Sequence, residues 1–355
     1  MPVEMIGWIA PRVASEIVRP SGPPFRPEVI AETAHIHEEA DFDRVLIGYF
    51  SNAPDGFLVG AHAASVTTRL HFLLAHRPGF VAPTVAARKL ATLDQLSGGR
   101  LAVHLIAGGN DTDQARDGDH LDHAARYRRT DEYAGLLRRT WTETEPFDHA
   151  GEFYRIKGAH ADIRCHQEPC IPVYGGGGSD AAVAALAPHV DVFMLWGEPL
   201  ADTAAFMARV RAAAAGNGRA LTFSLSTRPI VAPTDDLAWE RAHEILARVE
   251  GRRRPAPDPT NVGSQRLLAT AAAGELHDTC LWTPLAAATG APGNSTALVG
   301  SPETVADALV RYYELGATSL LIRGYDPLPD AELYGRELIP LVREKVAAVD
   351  RARGG

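Results

Sequence analysis

The sequence predicts an α/β fold, a single (β/α)8 TIM barrel spanning 1–355 with an insertion between the seventh and eighth strands. Short β-branched or apolar runs alternate with longer segments of helical period, which is the pattern of repeated βα units. Eight such runs are present, and 355 residues is the length of a barrel carrying insertions. A doubly wound sheet would more usually show about five to seven strands and an early glycine fingerprint.

The strand runs are 3–10, 44–49, 70–75, 101–106, 171–174, 190–195, 221–231 and 319–323. Between them, 27–40, 84–96, 181–187, 201–215, 236–248 and 302–315 carry apolar stripes at helical spacing. Two stretches break the rhythm. Residues 110–127 are polar and rich in Asp, His and Gly, which predicts a long loop at the rim of the barrel. Residues 251–293 open on Arg252-Arg253-Arg254-Pro255-Ala256-Pro257-Asp258-Pro259 and continue with helical pieces but no strand pattern. They are expected to form a mobile insertion serving as a lid, although the first ten residues read equally well as a solvated linker.

Composition narrows the class of function. With 46% hydrophobic and 22% charged residues the chain is a globular protein with material for a large core. A formal charge of −9 argues against general nucleic-acid binding, which needs a basic face. Three cysteines, Cys165, Cys170 and Cys280, suit a reducing compartment better than a disulfide framework. No signal-peptide pattern and no run of about 18 apolar residues appears, so a cytoplasmic protein without a membrane span is expected. His120, His123 and His149 read as surface histidines, since no third ligand is fixed near them and no metal site is expected. No Gly-x-Ser-x-Gly, His-Glu-x-x-His or Ser-x-x-Lys pattern supports a hydrolase.

The densest motif is Tyr174-Gly175-Gly176-Gly177-Gly178-Ser179-Asp180, directly between a strand and a helix. Glycines let backbone amides approach an anion, and the helix start adds a favourable dipole, so the motif suits a phosphate. It lacks the lysine of a P-loop and the acidic partner of a dinucleotide fingerprint, and a monoester such as that of FMN fits better. A tight turn alone would explain the glycines equally well. At the end of the third strand, His76 and Arg77 are candidates for cofactor or substrate contact because barrel sites lie at strand C-termini. Arg88 and Asp94, on the next helix, are expected to be structural, as an ion pair at the barrel wall.

From Arg77 to Arg100 the chain carries Arg-Pro, then Ala86-Ala87-Arg88, Ala91-Thr92-Leu93-Asp94 and Leu96-Ser97-Gly98-Gly99-Arg100. Farther on come Arg126-Tyr127, Gly177-Gly178-Ser179-Asp180, Trp196-Gly197-Glu198-Pro199, Val262-Gly263-x-Gln265-Arg266, Thr296-Ala297-Leu298-Val299-Gly300 and Gly324-Tyr325. This ordered set resembles the bacterial luciferase-like flavin-dependent monooxygenases, and within them the alkanesulfonate monooxygenase branch. The resemblance implies FMN, reduced by a separate NAD(P)H-dependent flavin reductase, with O2 as co-substrate, and a homo-oligomer. It implies that Gly177, Gly178 and Ser179 hold the flavin phosphate, with Tyr127 closing on it. Trp196 would line the flavin and substrate pocket, and Tyr325 would organise the oxygenating centre.

The departures are as informative. Ala53 stands where the alkanesulfonate branch has a cysteine, Ser226-Thr227-Arg228 where it has Arg-x-His, and Arg12-Val13 where a histidine is expected. Cationic recognition is therefore expected to pass to Arg12, Arg228 and Arg323, with Arg228 gripping the anionic head through its planar fork, although each arginine would equally suit an ion pair with a carboxylate at the barrel rim. Ser51, Asn52, Asn110 and Ser226 would suit a polar substrate such as a sulfosugar. The expected reaction is oxygenation of an organosulfonate, with release of sulfite and an aldehyde. Two other readings remain: hydride transfer with a deazaflavin on the same fold, and flavin binding without turnover.

Overall fold

The computed structural model describes residues 3–252 and 259–354. Eight parallel strands close on themselves: β1 (Glu4–Ile9), β2 (Arg44–Ile47), β3 (His71–His76), β4 (Leu101–Leu105), β7 (Val173–Gly176), β8 (Val192–Trp196), β9 (Thr222–Val231) and β13 (Ala317–Ile322). The β8–β9 pairing closes the ring, and β13 lies between β9 and β1. All eight expected strands are present, each within a few residues of its sequence bounds.

Alternation along each strand makes two cores. Leu73 and Ala75 of β3 join Ile6, Leu46, Ala102 and Tyr174 inside the barrel. Phe72 and Leu74 of the same strand face the surrounding helices. The N-terminal end of the barrel is closed by polar groups: Glu4 accepts from Arg44 Nε at 2.8 Å, from Ser319 Oγ at 2.8 Å and from Tyr174 Oη at 3.0 Å.

The outer layer comprises α1 (Pro27–Glu39), α2 (Gly56–Val66), α3 (Pro83–Ser97), α4 (Asp111–Arg116), α5 (His123–Thr142), α6 (Asp180–Leu186), α7 (Leu200–Gly216) and α8 (Asp235–Glu250). It continues with α9 (Val262–Ala273), α10 (Pro284–Thr289), α11 (Pro302–Leu315), α12 (Pro327–Leu333), a π-helical turn at Tyr334–Leu338 and α13 (Ile339–Gly354). None of the described helices is long and apolar enough to cross a membrane.

Two expectations need correction, and one element was not foreseen. The 110–127 stretch is not a plain loop: Asn110 and Asp122 accept backbone hydrogen bonds from Asp113 and Ala125 and so start α4 and α5. Their solvent-facing polar residues hide the helical period, while the caps supply the start signals. Arg88 and Asp94 make no ion pair. Arg88 is exposed, and buried Asp94 instead accepts from the backbone of His166 and Gln167 and from the Gln167 amide. A hairpin of β5 (Phe147–Ala150) and β6 (Arg155–Ala159), which sequence reading missed, packs on α5 through Leu136.

The insertion does hold strands. β10 (Leu276–His277) and β11 (Leu281–Trp282) pair antiparallel, and β11 leads through β12 (Ala297–Gly300) to β9. Two-residue strands are too short to show alternation, so the sequence does not announce them. Part of the arginine- and proline-rich start, 253–258, lies outside the described residues. The ten residues of β9 serve two sheets. Thr222–Thr227 pairs within the barrel, and Arg228–Val231 runs on to pair with β12.

Candidate active site

The C-terminal ends of the barrel strands surround a cavity of about 560 Å³. Its walls are apolar at Trp8, Leu46, Met194, Trp196, Phe206 and Leu321, and polar at Glu16, Arg77, His104, Tyr127, Arg228 and Arg323.

One side is the glycine turn. Gly176, Gly177, Gly178 and Ser179 all line the cavity. The reason for bare backbone here is close approach. A Cβ on Gly176 would stand 2.5 Å from the Met194 carbonyl oxygen, and one on Gly177 would stand 2.5 Å from the Tyr127 hydroxyl. Ser179 caps α6 by accepting from Ala182 N, and burial pushes the hydroxyl of Tyr127, which stands against this turn, up to about 12. Facing this turn is the start of α9, capped by Asn261 accepting from Ser264 N. The two helix starts abut, with the Cβ position of Gly178 3.2 Å from Gly263 N. Gly263 in turn lets the Trp196 ring lie against α9. Arg266, one turn into α9, is bound through both Nε and Nη2 to Glu198. This is a cradle of amides between two helix N-termini, and its residues fit a flavin mononucleotide phosphate.

Arg77 also lines the cavity, held by Asp113, by Gln114 Oε1 at 3.4 Å and by the Tyr49 ring at 4.6 Å, with its Nε buried and unpartnered. Its neighbour His76 points the other way, out of the barrel, with Nε2 2.6 Å from Tyr133 Oη, and does not line the cavity. Strand alternation separates them: Leu73, Ala75 and Arg77 face in, so His76 faces out. The same alternation brings in a residue that sequence reading missed. His104 of β4 lines the cavity with Nδ1 buried and without a partner, and burial lowers it to about 4, so its ring is neutral. The signal was a lone polar residue in phase with Ala102 inside an apolar strand. His123, expected at the surface, lines the cavity too, its ring edge-on to Tyr127 at 4.9 Å.

The opposite wall carries the cations. Arg228 is 2% exposed, and its donors are engaged. Nη1 and Nη2 donate to the two oxygens of Glu16 at 3.1 and 3.0 Å, Nε to the Arg323 carbonyl at 2.8 Å and Nη2 also to the Gly324 carbonyl at 3.0 Å. Below it lies the Tyr325 ring at 3.8 Å. Tyr325 is buried behind Arg228 and does not line the cavity, its hydroxyl pushed up to about 12 by burial. Burial would raise Glu16, but the charge and hydrogen bonds of Arg228, and then Arg323, hold it at about 2. The structure thus makes Arg228 a tie between β9, β13 and the β1–α1 loop rather than a free anion grip.

Arg323 is the exception. It lines the cavity beside this pair, with its guanidinium over the Trp8 ring at 5.0 Å, its Nε buried without a partner, and no ion pair among the described residues. Burial and the Arg228 charge lower it to about 10, so it remains a cation near neutral pH. Ser226 lines the cavity and accepts from Asn294 Nδ2 at 2.5 Å. Arg12 and exposed Asn52 do not line it. Among the described residues no cluster of His, Cys, Asp or Glu is arranged to hold a metal, and all three cysteines are free thiols.

Solved structures share this architecture. EDTA monooxygenase from Chelativorans sp. BNC1 superimposes with a TM-score of 0.77 at 17% identity, covering 97% of this chain and 94% of that one. The oxygenating constituent of 3,6-diketocamphane monooxygenase from Pseudomonas putida, a type II Baeyer–Villiger enzyme in complex with FMN, gives 0.72 at 19%, covering 96% and 99%. The coenzyme F420-dependent tetrahydromethanopterin reductase from Methanopyrus kandleri also gives 0.72 at 19%, over 96% and 99%. At these identities the likeness is one of fold. One family model, luciferase-like monooxygenase, matches residues 4–319 of this barrel, and the chain belongs to that family.

Proposed function

We propose that this chain is the oxygenase of a two-component system: it binds reduced FMN delivered by an NAD(P)H-dependent reductase and oxygenates a small organic anion, an organosulfonate. The observation that carries the reading is one cavity holding both a two-helix amide cradle and an unpaired cation, Arg323. The cradle suits a phosphate monoester, and the cation suits the substrate's anionic group. When bound, reduced FMN supplies the electrons for oxygen activation.

The chain's own residues supply placement and a dry, shaped site. Gly177, Gly178 and Ser179 present amides to the phosphate, with Tyr127 closing over them. Trp196, Met194 and Leu321 exclude water from the space between cradle and cation, which strengthens every charge interaction there. His104 offers a neutral imidazole, able to give or accept one hydrogen bond but not to add charge. Arg323 holds the anion and so fixes which carbon is oxygenated. Overall, one oxygen atom of O2 goes to the sulfonate-bearing carbon, the C–S bond breaks to release sulfite and an aldehyde, and the other oxygen atom leaves as water.

The test is direct. Purified protein is mixed with FMN, a flavin reductase and NAD(P)H in air, and sulfite is assayed over a panel of alkyl and sugar sulfonates. Sulfite formed only with the protein present supports the reading, and FMN binding without sulfite from any sulfonate rejects the substrate class. A second reading, deazaflavin-linked hydride transfer, draws on the fold shared with the F420-dependent reductase. It predicts tighter binding of F420 than of FMN and turnover without oxygen uptake.

A further inference from the structure

Among the described residues four arginines line the cavity, Arg77, Arg228, Arg266 and Arg323. Three are neutralised: Arg77 by Asp113, Arg228 by Glu16 and Arg266 by Glu198. Arg323 alone has no carboxylate within ion-pair distance among the described residues. We propose that Glu16, Arg228 and Arg323 form a charge-counting subsite with a net charge of one positive unit, which admits a singly charged anion such as a sulfonate or carboxylate and rejects a dianion such as a phosphate monoester. The inference rests on this cavity being the substrate pocket, and adds to that reading the charge state of the substrate and a role for Glu16.

The physical reason lies in what a second charge would meet. Arg228 already gives both its Nη atoms to Glu16 and also donates to the Arg323 and Gly324 carbonyls, so it has little to offer a ligand. Glu16 lines the cavity itself and stays ionised. A single negative charge on Arg323 leaves the group neutral. A second one has no cation to meet, sits near a fixed carboxylate and loses its water, a cost that one shared guanidinium does not offset. Arg228 is here a positioning residue: by binding the Arg323 and Gly324 carbonyls it fixes the end of β13 and aims Arg323 into the cavity.

The test is a binding measurement that needs no turnover. Propanesulfonate, butyrate and propyl phosphate are titrated by calorimetry at pH 7.5 into the FMN-saturated protein, and into FMN-free Gly178→Leu so that propyl phosphate does not enter the glycine cradle. At that pH the first two carry one charge and the third carries close to two. The expected result is that propanesulfonate and butyrate bind at least about tenfold more tightly than propyl phosphate, and that Arg323→Met loses about tenfold or more of that affinity. Replacing the pair together, Glu16→Gln with Arg228→Gln, keeps the net charge and should keep the order of preference, with all affinities lowered because Arg323 loses the hold of Arg228 on its carbonyl. Glu16→Gln alone adds one positive unit and should raise propyl phosphate toward or above the sulfonate. Equal binding of all three anions to the wild-type protein overturns the inference, as does unchanged affinity in Arg323→Met. If the anions discriminate as expected but FMN does not bind, the proposed function fails while the subsite stands. If FMN binds and none of the anions does, the subsite fails alone.

Discussion

Arg228 stands where β9 leaves the barrel and Arg323 just past the end of β13, and they carry the same charge, yet their surroundings give them different work. Arg228 is enclosed and bonded on every side, so Arg228→Met would leave Glu16 facing a buried gap and free two carbonyls. Breaking a buried pair by removing one partner costs about 3–5 kcal/mol, and the partial exposure of Glu16 puts this one at the lower end. The expected outcome is a clear fall in denaturant midpoint for Arg228→Met, against a near wild-type midpoint for Arg323→Met, which releases no partner charge. Equal stability of the two variants would contradict this division of roles. His76 and Arg77 make the same point in one step of chain: adjacent residues on opposite faces of β3, one bonded to Tyr133 in the outer layer and one in the cavity wall.

At the scale of elements, the cradle depends on α6 and α9 starting against each other. A leucine at Gly178 would run into Gly263 N and the Arg266 Cδ, whose positions lie 3.2 and 3.4 Å from the new Cβ. Gly178→Leu is therefore expected to lower FMN affinity by more than about tenfold while the far-ultraviolet spectrum stays that of a barrel. Unchanged affinity would remove the phosphate from this turn. Gly176→Ala acts differently, because its Cβ meets the backbone oxygen of Met194 and pushes β7 from β8. Overpacking of this kind costs about 1–3 kcal/mol, measured as a lower unfolding free energy. The insertion is tied to the barrel through β9 and β12, and the start of α9 together with Pro292 and Gly293 faces the cavity. Amide hydrogen exchange over 262–273 should slow when FMN and a sulfonate bind together. No change across that helix would remove any closing role for it.

For the whole molecule, buried neutral histidines set the response to acid. Burial lowers His37, His76 and His104 each from 6.5 to about 4. A folded value below the unfolded one means that the unfolded chain takes protons first. The stability contributed by these groups is therefore whole above about pH 6.5 and is lost as pH falls toward 4. Each can cost up to about 1.4 kcal/mol per pH unit in that window. Glu16, held at about 2 by Arg228, keeps its contribution until still lower pH, so the histidines act first. Unfolding free energy measured at pH 7, 6 and 5 should fall with rising steepness, and His104→Asn should remove one proton's share of the slope. A flat profile from pH 7 to 5 would contradict this.

Sequence alone determined the barrel. Eight apolar runs separated by helical stripes leave one economical way to bury them, and that information is local and periodic, so it survives without coordinates. The glycine turn was legible for the same reason, since a run of glycines between a strand and a helix marks bare backbone wherever it folds. The rest was decided by tertiary structure. Whether Arg228 is free depends on Glu16, which lies 212 positions away in the chain, and no local pattern joins them. Whether Arg323 is free depends on the absence of a carboxylate within reach in space. The second half of the cradle, α9, reaches the glycine turn only because β9 outlasts the barrel and carries the inserted sheet on Arg228–Val231. Periodicity encodes which face of an element is buried, whereas the charge state of a pocket depends on which groups meet there, and only folding makes them neighbours.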